Sequence, residues 1–290
     1  MNFKKYYWGT IPYLFFRMVN SRLEKLKYFR FIKENGYTHY PYDYAQQYLD
    51  MDVDVMTDEN NGLPYIRHRG IKNLYFPRHY THNQIIKGYR SLMIEQDINS
   101  PHHYVDSIEE FKGKTLLDIG SAEGLTSLDA IELVESVYLF EYNPGWIEAL
   151  EATFEPWKHK VQIMKQYIGN NNIGINQTLD YFLKDKPKKN IFLKMDIEGA
   201  ERNALAGAVN LFSNADNLNF AICTYHRRDD NMIISQILDK YNCTHSQRDG
   251  LLYYKHHLRP CLIRGWVHGC VPMYPPCTLL RNFQSPVNTF

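Results

Sequence analysis

Several things are missing from this sequence, and each absence removes a class of protein. There is no apolar run long enough to cross a bilayer. The best candidate, residues 6–16 behind Lys4 and Lys5, is cut by Arg17 and falls short of the about 20 residues a span requires. No small-residue cleavage site follows it, so it does not read as a secretory signal. It reads as a segment packed on the rest of the protein, with peripheral membrane contact as the alternative. Cysteine is sparse. Cys223, Cys243, Cys261, Cys270 and Cys277 are irregularly spaced with no CxxC pair, which argues against a zinc ribbon or a disulfide framework and suits a reducing cytoplasm. An excess of one charge is also lacking. The net charge is +1, so no overall field draws the chain to nucleic acid. Self-association is left open.

What is present is the material of a folded domain. Hydrophobic residues make up 44% and charged residues 22%, outside the range of disordered chains. The 23 tyrosines pack as hydrophobes while keeping a hydroxyl for a polar ligand. Three regions are expected. Residues 1–103 form an aromatic N-terminal extension with a helix over 18–32 stopped by Asn35-Gly36. A small β-meander follows over 53–56, 63–67 and 72–76, then a helix over 80–95. Residues 104–257 alternate strand and helix: strands at 115–119, 137–140, 161–164, 191–195 and 220–224, with helices at 125–134, 146–154, 200–212 and 232–241. That alternation means an α/β fold, a doubly wound, mostly parallel seven-stranded sheet of Rossmann-like type. Asp249-Gly250 between 243–247 and 251–255 predicts an antiparallel C-terminal hairpin. Residues 258–290 are expected to be a surface tail.

The chemistry is expected at strand tips, because open α/β sheets bind ligands at the carboxyl ends of their strands. The first tip reads Asp118-Ile119-Gly120-Ser121-Ala122-Glu123-Gly124. Gly120 and Gly124 permit a tight turn, but the pattern lacks the GxGxxG that cradles a pyrophosphate. A carboxylate beside such a turn suits a ligand with an amino group and a sulfonium, such as S-adenosylmethionine (SAM). The second tip, Glu141-Tyr142, lies about 20 residues on, where an acid can accept ribose hydroxyls and an aromatic ring can face an adenine. The third tip, Asp196-Ile197-Glu198-Gly199-Ala200-Glu201, brings a second carboxylate to the same sheet edge. The fourth, Thr224-Tyr225-His226, adds an imidazole that titrates near neutrality.

These pieces resemble the FkbM-type methyltransferases, a class I SAM-dependent family. The likeness rests on DIGSAEG, LFEYNP, TLDYF at 178–182, KMDIEGAE followed by Leu205-Ala206-Gly207-Ala208, and ICTYHRRDD. Residues 95–104, with Gln96 and Tyr104, resemble a segment that precedes the domain in one branch of the family. The resemblance implies methyl transfer from SAM to a hydroxyl of a small-molecule or glycan acceptor. It places Asp118, Gly120, Ser121, Gly124, Glu141, Tyr142, Gln96 and Tyr104 around the cofactor. His226 becomes first candidate for general base and Asp196 second, with Glu198, Glu201 and Tyr225 toward the acceptor. No metal is assigned, although Asp196, Glu198 and His226 are donors acceptable to Mg²⁺. The 95–104 segment is expected to close the site. Two alternatives are a SAM-fold module without catalysis and a nicotinamide-dependent sugar oxidoreductase or epimerase. The latter calls for a GxGxxG and a tyrosine–lysine pair, and neither is found.

Overall fold

A computed structural model describes residues 9–19 and 24–267. At its centre are seven strands: β4 (Thr115–Ile119), β5 (Ser136–Phe140), β6 (Val161–Met164), β9 (Lys189–Met195), β10 (Asp216–Cys223), β11 (Thr244–Gln247) and β14 (Leu262–Val267). Their order across the sheet is β11-β14-β10-β9-β4-β5-β6. β4, β5, β6, β9 and β10 pair in parallel, while β14 runs antiparallel to both of its neighbours. The reversal of strand order falls between β4 and β9, where both neighbouring tips open onto one crevice. This is the doubly wound, seven-stranded sheet that the alternation predicts.

The end of the sheet differs from expectation. β11 pairs with β14, not with the segment across Asp249-Gly250. That segment, β12 (Leu251–Tyr254), forms a separate ribbon with β13 (His257–Pro260). The Asp-Gly pair therefore marks a turn but not the hairpin of the main sheet. Residues 258–267, expected to start a surface tail, instead complete the ribbon and supply an inner strand whose Leu262 and Ile263 are fully buried. The run Cys261-Leu262-Ile263 was the available signal. The remainder of the expected tail, with Cys270 and Cys277, lies outside the described residues.

Around the sheet stand α4 (Leu125–Ala130), α5 (Pro144–Thr153), α6 (Leu179–Phe182), α7 (Glu201–Ala206), α8 (Val209–Asn214) and α9 (Asp230–Lys240), with a short parallel pair of β7 (Tyr167–Ile168) and β8 (Asn176–Gln177). The single helix expected over 200–212 is two. Gly207 lies so close to the backbone that a Cβ there would sit 2.2 Å from the Gly169 carbonyl. The second helix is capped by Asp180, whose carboxylate accepts the Asn210 and Leu211 N–H groups.

Side chains alternate across each strand. Leu117, Ile119, Leu193 and Met195 face one core, and Leu116 and Phe192 the other. Into the second core packs the N-terminal region. The antiparallel meander of β1 (Val55–Thr57), β2 (Pro64–His68) and β3 (Lys72–Tyr75) contributes Ile66 and Leu74. The helix α3 (His82–Glu95), started by a Thr81–Gln84 capping box, contributes Ile85 and Tyr89. Before them, α1 (Ile11–Val19) and α2 (Leu26–Asn35) stand where one helix over 18–32 was expected. The α2 stop at Asn35-Gly36 is as read, with Gly36 at φ 104°. No described helix is long and apolar enough to cross a membrane.

Candidate active site

Two adjacent parallel strands, β4 and β9, each deliver an aspartate to the carboxyl edge, and the two are treated very differently. Asp118 is 1% exposed. Its Oδ1 lies 2.8 Å from Lys194 Nζ and its Oδ2 accepts from Ser127 Oγ at 2.6 Å. Lys194 also donates to the Gly120 carbonyl at 2.7 Å. Burial opposes its charge, but Asp118 and Asp196 outweigh burial and hold the ammonium above its ordinary range. Asp118 is therefore tied to Lys194 and Ser127, and it also lines the smaller compartment of the cleft described below. Lys194, unassigned in the sequence reading, was legible as a lysine inside a buried strand.

Asp196 is the open one. Tyr104 OH donates to Oδ2 at 3.1 Å and His102 Nε2 lies 3.4 Å from it. Tyr225 OH donates to Oδ1 at 3.4 Å, and His226 Nε2 stands 3.5 Å away. Burial alone would raise this carboxyl, but His102, Lys194 and His226 pull it far below the ordinary carboxylate range. So depressed a group is a poor proton acceptor, and its surroundings suit a fixed anion. The flanking imidazoles respond in kind. Burial disfavours charge on both rings, yet Glu95 and Asp196 raise the His102 pKa, and Glu201, Asp196 and Glu198 raise that of His226.

The acids behind these imidazoles complete a line: Glu95 Oε1 lies 3.3 Å from His102 Nδ1, and Glu201 Oε1 2.9 Å from His226 Nδ1. Glu201 is fully buried, and Oε1 accepts the Ile197 and Gly199 N–H groups. It orders the turn after β9 and lines neither compartment of the cleft, so its expected place against the acceptor is corrected. Glu198 does face solvent, with its side chain 85% exposed and Oε2 3.6 Å from His226 Nε2. His226 is 6% exposed and sits directly behind Asp196.

The cleft has two compartments. One, about 410 Å³, is lined by Gly120, Glu141, Tyr142, Gln166 and Ile168. Glu141 accepts the N–H groups of Ala122, Tyr142 and Asn143 at 2.8–3.1 Å, so it ties the glycine turn to the β5 tip while facing the cavity. Tyr142 is 56% exposed and stands edge-on to Tyr167 at 5.7 Å. Gln166 brings a buried, unpartnered side-chain oxygen to this wall, a residue the sequence reading missed because nothing in its run marks it. Gly120 is needed for packing as much as for ligand access. At φ +77° its Cβ would fall 2.0 Å from the Asp196 carbonyl. Gly124 is corrected outright: its Cβ would meet Leu150 and Phe154 at 2.8 Å, so it serves the α4–α5 contact and lines neither compartment.

The second compartment, about 190 Å³, shares Gly120, Ala122, Asp196 and Glu198 with the first and adds Gln96, Tyr104, Ser121, Glu123 and Tyr225. Its outer wall is the 95–104 segment. That wall is built in: Asp97 accepts from Tyr48 OH at 2.6 Å and Gln47 at 3.0 Å, and Arg248 donates to the Ser100 and Ile98 carbonyls. Gln96 and Tyr104 thus reach the cleft from a fixed segment. Glu123, quoted in the motif but given no role, is half-buried here. Burial and the nearby Glu95 push its pKa up to about 7.

Two clusters could gather a cation among the described residues: Asp196, Glu201 and His226, and His102, Asp196 and Cys223. Burial keeps the Cys223 thiol protonated, a poor ligand. In the first cluster Glu201 Oε1 is committed to the backbone N–H groups of Ile197 and Gly199. No metal is assigned. A wider cavity of about 630 Å³ lies along β11 and β14, away from these tips. Its Arg248 and Arg264 are already paired with Asp106 and Glu110.

Sheet order and strand-tip geometry define the class: the doubly wound, seven-stranded fold of class I methyltransferases. Residues 174–240 match the family model of the methyltransferase FkbM domain, and Asp196, Glu198, Glu201, Tyr225 and His226 fall inside the match. The glycine turn and Glu141 lie before it. Among solved structures, a methyltransferase FkbM from Methylobacillus flagellatus KT aligns at TM-score 0.44 and 18% identity over 63% of this chain. The chain spans about half, 54%, of that protein's length. Magnesium protoporphyrin IX methyltransferase from Synechocystis PCC 6803, solved with bound SAM, aligns at TM-score 0.41 and 15% identity, covering 64% of this chain and 85% of its own. Precorrin-6y C5,15-methyltransferase from Geobacter metallireducens GS-15 aligns at 0.39 and 12%, covering 58% and 89%. Likenesses this loose assign no function. No protein of curated function matches this chain.

Proposed function

We propose that this protein transfers the methyl group of SAM to a hydroxyl oxygen of a carbohydrate acceptor. The observation that carries the reading is the two-compartment cleft, joined at Gly120 and Asp196. The larger compartment fits an adenosine, with Glu141 toward the ribose and Tyr142 and Gln166 toward the base. The smaller one fits the amino-acid end, with Glu123 and Gln96 toward the ammonium. The join is then the place of the sulfonium, beside the Asp196 anion. SAM supplies a methyl carbon already activated by its positive sulfur, so the protein's task is positioning.

Asp196 and Tyr225 hold the acceptor hydroxyl, and Glu198 extends toward the rest of the acceptor. As the oxygen takes the methyl and the sulfur leaves as a neutral thioether, the hydroxyl proton passes to neutral His226, which stands beside the Asp196 anion. Tyr104 and Tyr225, which line the smaller compartment, suit the faces and hydroxyls of a sugar. The free thiols of Cys223, Cys243 and Cys261 support a cytoplasmic setting. Transfer of labelled methyl from SAM to polysaccharide precursors tests the reading. Because the His226 pKa lies above 6.5, turnover should rise with pH through that raised value, and the rise should vanish in His226→Gln with SAM affinity kept. Methyl transfer with the same pH profile in both proteins would remove His226 from the proton path.

A further inference from the structure

The first helix is built unlike the rest of the molecule. In α1, Ile11, Leu14, Phe15 and Met18 are 44%, 47%, 58% and 86% exposed. Their spacing puts them on one side of a helix, within an arc of about 100°. Tyr13, on the opposite side, is 8% exposed and packs with Phe29, Ile32 and Tyr253. Among its described side chains the helix buries Tyr13 and leaves Ile11, Leu14, Phe15 and Met18 exposed, the reverse of a surface helix on a globular domain. Arg17 borders the apolar face and is exposed.

Charge is concentrated in the same place. Residues 1–33 hold eight lysines and arginines against one acid, Glu24, although the whole chain is only +1. Arg17, Lys25, Lys27 and Arg30 are exposed. An apolar ridge on a helix embedded in basic chain is complementary to one kind of partner, an anionic lipid surface. The apolar side chains enter the boundary of the acyl region and the cations meet the headgroups. A protein partner would have to supply both an apolar groove and an excess of acid.

We infer that α1 docks this protein on an anionic bilayer, and that the hydroxyl it methylates belongs to a glycan carried at that surface. The second half rests on the methyl-transfer reading and on one structural link. The ribbon β12–β13 joins the helix to the site. Tyr253 packs against Phe29 at 6.0 Å and joins the Tyr13 cluster. The next residue, Tyr254, turns to the other side and meets Tyr225 at 5.1 Å and His226 at 6.0 Å. The ribbon therefore links the docking helix on one side to Tyr225 and His226 on the other, which puts the acceptor side of the cleft toward the docked surface. Among the described residues none of α1 lines either cofactor compartment, so the two assignments fail separately.

Flotation of the full chain with phosphatidylcholine vesicles, with and without phosphatidylglycerol, tests the inference. Binding should require phosphatidylglycerol and weaken as salt rises. Arg17→Gln/Arg30→Gln should weaken it about thirtyfold, the factor that two basic side chains near an anionic surface supply. Leu14→Asp/Met18→Asp should abolish it, with melting temperature and SAM affinity unchanged. Equal vesicle binding by parent and Leu14→Asp/Met18→Asp overturns the inference, as does a parent that ignores phosphatidylglycerol. A lipid-free dimer that the same two substitutions split would make this face a contact between copies and overturn it too. Methylation of a soluble glycan at the rate of the same glycan on a lipid would leave the docking and remove the surface-borne acceptor.

Discussion

Asp118 and Asp196 end neighbouring strands in nearly the same words, a buried run and then Asp-Ile-Gly or Asp-Ile-Glu-Gly. One is closed and the other open. The strand register explains the difference: Asp118 stands opposite Lys194 on β9, whereas Asp196 lies beyond the last paired residue, Met195. A two-residue offset puts the first carboxylate within the paired strands, against a lysine, and the second beyond them, among two imidazoles and two phenols. Equal motifs therefore carry unequal roles. The first is the support on which the glycine turn is set, and the second is the reactive edge.

Mutation should separate them. Asp118→Asn leaves Lys194 buried without its partner, and removal of one member of a buried ion pair costs about 3–5 kcal/mol. The expected result is a large fall in melting temperature, read by calorimetry. An unchanged melting temperature would mean that Asp118 is not the support. Asp196→Asn should keep the fold and lower turnover by about 10²–10³-fold, the scale of losing a preorganised charge at a reacting centre. Steady-state kinetics with SAM affinity measured alongside would show whether the loss lies in catalysis or in binding. Effects of similar kind in the two variants would erase the distinction.

A smaller effect belongs to Glu123. Its folded pKa, about 7, is raised above the ordinary 4.5, so the cofactor-free protein should lose stability as pH climbs from about 4.5 through 7. Over the same range the ionised carboxylate becomes available to a cationic ligand, and SAM affinity should strengthen. In Glu123→Gln both trends should flatten. A parent whose SAM affinity does not vary across this range would place the ammonium elsewhere.

Much of this was legible before any coordinates. Hydrophobic alternation located the five parallel strands, and an acid at each of three tips located the edge. What the sequence hid were pairings at a distance. Nothing local says that β11 reaches past the Asp249-Gly250 turn to a strand made of residues read as tail. Nor does local pattern show that Gly124 packs on Leu150, or that Glu201 folds back onto the N–H groups of its own turn. His102 is fully buried and lies 3.4 Å from Asp196, although its run does not mark it. A histidine beside another histidine in a polar run gives no sign of burial.

The central claim is that the paired compartments at Gly120 and Asp196 are a SAM site. Isothermal titration of the full chain with S-adenosylhomocysteine, followed by the same titration on Glu141→Ala, meets it most directly. The account predicts one saturable site per chain, no heat with NAD, and a loss of about 1.5–3 kcal/mol in the variant, the worth of a hydrogen bond to a charged group. No binding by the folded parent, or equal affinity in parent and variant, would contradict it.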